Sequence, residues 1–366
     1  MTEPNPAAKR THCFPVPDPA KANPADWDAE EIATYGLPER PDAEVQPGLY
    51  RIWMNTFGQQ LCFSKYVPGK GPGFDLHRLD VDTPHDTTDS SPLGATRFLT
   101  SPNWSGSYLS ATSGRTFRQI WGQWIVPTPS LPEGLSLPRG HGSTDHDPSV
   151  SYQCSTWIGL DGQRLYLNSS LPQMGTAQQV TLCADGRQEF RTWAWTQWWA
   201  RNDKDTLPVP ISNLTIRHGD VIRCVLTVAD DRLSVVCNMI NQSCSPPVVT
   251  AIRIDSPPVP KRPGQHYVVS GATAEWVLER PAVPDQTGHA EHSSLLQPFP
   301  DYGTTNFSAC YAVLDGVKAT ALRDLSVPRF IRMYEVRANP QRTAYISMPM
   351  RIDNASFAVS HGGFDV

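Results

Sequence analysis

From about residue 100 onward, apolar residues come in short runs that alternate with polar ones, with Gly, Pro, Asn, Asp and Ser between the runs. No segment there sustains a 3.6-residue period, so the pattern predicts an all-β sandwich or barrel. The clearest unit is a hairpin over Asp220 to Met239, in which Val221–Val228 and Leu233–Cys237 flank Asp230-Asp231. A two-residue turn would set Cys224 directly opposite Cys237, which makes a disulfide between them an expectation. Alternation along another run puts Trp193, Trp195, Gln197 and Trp199 on one face and Ala194, Thr196 and Trp198 on the other. Pro127 to Ser151 reads as a long loop.

The first hundred residues differ. Met1 to Pro24 is polar and proline-rich, hence extended or disordered, and Asp26 to Tyr35 predicts a short helix stopped by Gly36 and the prolines at 38 and 41. Gly48 to Met54 reads as a strand, and Gly69 to Pro92, rich in Gly, Pro, Asp, Ser and Thr, as a linker. These readings divide the chain into an N-terminal appendage, residues 1–100, and a main domain, residues 101–366.

Composition narrows the function. Of 366 residues 18% are charged, below the usual value of roughly 25%, and the net charge is -5 without a dense Lys/Arg patch. Nucleic acid is therefore not an expected partner. No apolar run is long enough for a membrane helix, and Met1 to Phe14 lacks the apolar core of an export signal, so a soluble chain is expected, with no membrane partner. The eight cysteines show no C-x-x-C spacing. His141 and His146 stand near each other but bring no third ligand at diagnostic spacing, so no metal or other cofactor is expected. No G-x-S-x-G elbow is present. Six N-x-S/T sequons begin at Asn103, Asn168, Asn213, Asn241, Asn306 and Asn354.

Several separated segments follow one another in a telling order: Asn103-Trp104-Ser105-Gly106, Trp124-Ile125-Val126-Pro127, Trp157-Ile158-Gly159-Leu160-Asp161-Gly162 and Leu171-Pro172-Gln173-Met174-Gly175. Then come Ala194-Trp195-Thr196-Gln197-Trp198-Trp199, Gly219-Asp220, Ala274-Glu275-Trp276-Val277-Leu278-Glu279 and Pro298-Phe299-Pro300-Asp301-Tyr302-Gly303-Thr304. In order and approximate spacing they resemble the glutamic peptidases, or eqolisins, across nearly all of residues 101–366.

The resemblance implies an antiparallel two-sheet β-sandwich of concanavalin A-like, jelly-roll type, with a cleft across one sheet and polypeptide substrates. It implies hydrolysis without metal or covalent intermediate by a Gln/Glu dyad, whose positions fall on Gln173 and Glu279. Glu279 would activate water and return the proton to the leaving amine, while the Gln173 amide stabilises the oxyanion. Trp104, Trp157, Asp161, Trp193, Trp195, Gln197, Trp199 and Glu275 are the substrate-binding candidates. Trp193 and Gln197 depart from the family, which usually carries acids there. The resemblance also implies export, and a prosegment in the region of residues 1–100, with a stable accessory domain as the alternative there; a monomer is expected. Two other readings stand beside it. Glu275 and Glu279 could serve a glycosidase, but four strand residues separate Cα atoms by about 13 Å, whereas glycosidase carboxyls lie about 5–9.5 Å apart. A carbohydrate- or peptide-binding sandwich without turnover is the non-enzymatic alternative.

Overall fold

A computed structural model describes residues 6–69, 87–91, 94–112, 114–133, 150–163, 169–201, 203, 207–283, 296–315, 321–338 and 341–365. His141, His146, Asn168 and most of the loop and linker expected around 127–151 and 69–92 lie outside them. The predicted helix is there as α1 (Ala29–Thr34), opened by an Asp28 cap in a reciprocal box with Glu31 and followed by Gly36 at φ 69°. Where a strand was expected, the chain instead forms helix α2 (Pro47–Phe57). The physical signal is Pro47 in the first turn, where the missing N–H costs nothing, and burial of Leu49, Trp53 and Phe57 at helical spacing.

Where Met1 to Pro24 was expected to be extended or disordered, the described part forms short 3-10 turns at Pro6–Arg10, Pro19–Lys21 and Pro24–Asp26 besides a strand; strands make up the rest. They are β1 (Thr11–Cys13), β2 (Cys62–Phe63), β3 (Thr87–Ser91), β4 (Gly94–Ser101), β5 (Trp104–Ser110), β6 (Phe117–Ile125), β7 (Val150–Leu160), β8 (Ser170–Leu182), β9 (Gln188–Ala200) and β10 (Val209–Ile211). There follow β11 (Val221–Val228), β12 (Ser234–Asn241), β13 (Val248–Asp255), β14 (Thr273–Glu279), β15 (Thr304–Leu314), β16 (Ala321–Arg323), β17 (Arg329–Ala338), β18 (Gln341–Arg351) and β19 (Phe357–Asp365).

Pairing arranges them as two mostly antiparallel sheets. The front sheet runs β3-β4-β17-β5-β14-β7-β8-β9-β10, and the back sheet runs β18-β19-β15-β6-β11-β12-β13. The β17–β18 ladder joins them along one side, so the whole is an open all-β sandwich. Between the sheets lies the main core, in which Trp276 Nε1 donates to Trp121 O at 2.7 Å and Trp124 Nε1 to Thr176 Oγ1 at 3.0 Å. A close approach is built in at Gly122, where a Cβ would stand 2.7 Å from Ile158 and 2.8 Å from the Trp276 ring.

The hairpin corrects the cysteine expectation. Ala229 N bonds to Ser234 O, so the turn holds four residues, with Arg232 at φ 59°, and the register slides by two. Cys224 faces Met239, Cys237 faces Leu226, and both thiols are free and buried. No disulfide links them. Residues 6–69 are not loose: β1 pairs antiparallel and β2 parallel with β13, and α2 lies on the outer face of the back sheet. Among the described residues, the sequon asparagines Asn103 and Asn241 are buried.

Candidate active site

The outer face of the front sheet carries nearly every residue singled out from the sequence. Register puts them in rows that cross the strands. One row reads Tyr108 (β5), Glu275 (β14), Gly159 (β7), Gln173 (β8), Gln197 (β9). The next along the strands reads Gly106, Val277, Trp157, Gly175, Trp195, and the third Trp104, Glu279, Ser155, Ala177, Trp193. Gln173 therefore shares a row with Glu275 and not with Glu279. Two interstrand steps separate the Cα atoms of Gln173 and Glu275 by about 10 Å, whereas Gln173 and Glu279 are also offset by four residues, which makes roughly 16 Å. Side chains that each reach roughly 4 Å can meet through one water in the first case only.

Gly159 sits between Gln173 and Glu275 and lets the neighbouring side chains close over it. A Cβ there would meet Leu171 Cδ1 at 2.8 Å and Gln173 Cβ at 3.1 Å. The Gln173 amide is oriented from its other side, since its Nε2 donates to Gln197 Oε1 at 2.7 Å. Glu275 is fully buried; its Oε1 accepts from Gln163 N at 3.1 Å, and its Oε2 is buried with no hydrogen-bond partner among the described residues. Burial, with a smaller contribution from the nearby Asp161 charge, pushes its pKa up to about 8.

The sequence model of the Peptidase A4 family matches residues 102–347, well over half of the chain and every strand that carries these rows. The chain belongs to the glutamic peptidases of that family. It is thus a peptide hydrolase whose substrates are polypeptides. No curated protein matches the peptidase.

The other candidates divide by contact. In this peptidase Glu279 is gripped: Trp157 Nε1 donates to its Oε2 at 2.8 Å and Asn103 Nδ2 to its Oε1 at 3.2 Å. Trp104 packs edge-on against Trp157 with centroids 5.0 Å apart, and Trp195 Nε1 donates to Ser155 Oγ at 3.1 Å. On β9 the alternation read from the sequence is the one observed, with Trp193 and Trp199 half-buried and Trp195 and Gln197 buried on the site face, while Ala194, Thr196 and Trp198 point into the core. Asp161 turns its carboxylate onto backbone N–H groups of residues 270–272.

Sequence reasoning passed over Asn103, Gly159 and Gln163. Asn103 and Gly159 lie inside the quoted motifs, but only the cross-strand register shows what they separate or hold. Gln163 acts through its backbone N–H, for which a side-chain motif carries no signal.

Proposed function

We propose that the peptidase cleaves peptide bonds with Gln173 and Glu275 as its working pair, so that Glu275 takes the part first expected of Glu279. The observation that carries this reading is the shared row across β14, β7 and β8, with a glycine between the two side chains. The unpartnered Glu275 Oε2 supports it, because a base needs an oxygen that the protein has not already committed.

In this reading, ionised Glu275 removes a proton from a water lying between the two side chains as that water attacks the scissile carbonyl. An N–H of Gln173 stabilises the oxyanion. Glu275 then delivers the proton to the departing amine, the C–N bond breaks, and the free acid and amine leave. Gln173 adds no charge, so the pair avoids the shared-proton state of two carboxylates. Trp104, Trp157, Trp193, Trp195 and Trp199 offer apolar walls for the substrate on either side of the row, and Glu279 acts as a clamp on Trp157.

The test is a set of purified variants on a quenched peptide. Glu275→Gln and Gln173→Ala are each expected to lower kcat/KM by at least about a hundredfold. Glu279→Gln, which can still accept from Trp157 or Asn103, is expected to lose less than about tenfold. The reverse ranking of the two glutamates would return the base role to Glu279.

A further inference from the structure

The turn that ends β7 grips β14 in two places. Asp161, the first residue past β7, has φ 74°, a left-handed conformation that residues with a Cβ rarely adopt. Its buried carboxylate accepts four hydrogen bonds from the segment leading into β14. Oδ1 accepts from Ser270 Oγ and Ala272 N, both at 2.7 Å, and Oδ2 accepts from Ser270 N at 2.6 Å and Gly271 N at 3.1 Å. Three of these donors are backbone N–H groups, which cannot reverse their role and favour the carboxylate, while burial, the larger effect, pushes the Asp161 pKa above the usual carboxylate value. Asp161 N donates to Thr273 O at 3.0 Å. Two residues on, Gln163 N reaches Glu275 Oε1 at 3.1 Å. The turn cannot carry a larger middle residue, because a Cβ on Gly162 would stand 2.8 Å from the Trp104 ring.

From these contacts we infer that Asp161 is a positioning residue for Glu275, and not the substrate contact expected from the sequence. Its pinned carboxylate sets the approach of β14 and the turn that presents Gln163 N–H, and its charge opposes ionisation of Glu275. This rests on the Gln173/Glu275 reading. Among the described residues, β5 brings Tyr108 opposite Glu275, with Arg329 of β17 5.8 Å from the centre of that ring. On β14 itself the same face carries Glu279 two places along, and β8 and β9 contribute only the neutral amides of Gln173 and Gln197. Asp161 is the remaining charge, and it belongs to the turn that touches the base.

The experiment measures kcat and KM against pH for wild type, Asp161→Asn and Asp161→Glu, normalised to the folded fraction. Asp161→Asn is expected to lower kcat by about tenfold or more through misplacement of the base, with KM nearly unchanged. Its acid limb in kcat/KM should move down by about one pH unit, because the repelling charge is gone. Asp161→Glu restores the charge and should return the limb to its wild-type position while kcat stays low. A purely structural role predicts a lower Tm with unchanged kcat per folded molecule and an unmoved limb, and that result overturns the inference. Should Asp161→Asn not fold, Ser270→Ala removes a single donor, and a kcat equal to wild type would overturn it as well. An active Glu275→Gln enzyme sinks the Gln173/Glu275 reading instead, whereas an inactive one beside an indifferent Asp161→Asn sinks this inference alone.

Discussion

If Glu275 is the base proposed above, folding and catalysis ask opposite things of it. Its ordinary pKa of 4.5 is raised by burial to about 8, so the folded protein binds this proton more tightly than the unfolded chain does. The resulting stability is fully present below pH 4.5 and is lost as pH rises towards about 8. A general base, by contrast, works only when ionised, so kcat/KM should fall as pH drops below the raised pKa. The expected outcome is a kcat/KM that climbs across this interval towards about pH 8 while Tm declines over it. It can be checked by recording Tm and kcat/KM over the same pH series. Glu275→Gln should flatten the decline of Tm across that interval, and a decline identical to wild type would assign it to other groups. At this scale the sequence presented two glutamates four apart on one face of one strand, with nothing local to choose between them. Gln173 and the tryptophans of β9 were legible because motif and alternation are local properties.

Among the elements, α2 shows where local reading failed. Gly48-Leu49-Tyr50-Arg51-Ile52-Trp53-Met54 is rich in residues that favour strands, yet it is helical because Leu49, Trp53 and Phe57 bury one stripe against Trp121, Val225, Ile240, Val249 and Val313 of the back sheet. Trp53 is fully buried, donates Nε1 to Pro38 O at 2.8 Å, and stacks under Arg40 at 4.9 Å. Trp53→Ala is therefore expected to cost about 3–5 kcal/mol in chemical denaturation, with kcat per folded molecule unchanged, since α2 lies on the opposite side of the sandwich from the site. A loss below about 1 kcal/mol, well under the usual cost of deleting a buried tryptophan, would mean that the helix is only loosely docked. The hairpin at residues 229–234 failed for a related reason. Its first strand was read over Val221–Val228 as observed, but the second starts at Ser234, not Leu233, and two extra residues in the turn shifted the register and separated Cys224 from Cys237.

For the whole molecule, the question is what residues 6–69 do. They complete the edge of β13 through β1 and β2, and polar groups of the back sheet depend on them: buried Asn238 Nδ2 donates to Gly36 O at 2.8 Å and half-buried Arg223 Nη1 to Thr56 Oγ1 at 2.7 Å. Removing them would strip cover from Trp121, Val225 and Ile240 and leave the strand edge open, a recipe for aggregation. A protease site engineered between β2 and β3 is thus expected, once cut, to yield two fragments that co-elute under native conditions with unchanged activity. Dissociation with a rise in activity would instead identify an inhibitory prosegment. By itself the sequence determined the all-β class, the family, α1 and the two faces of β9. These follow from periods of two residues, caps and motifs, which are written into neighbouring positions. The tertiary structure decided that residues 48–54 coil against a sheet and that Cys224 misses Cys237. It also brought Glu275 across Gly159 to Gln173, because strand register is set by hydrogen bonds and packing between residues far apart in the chain.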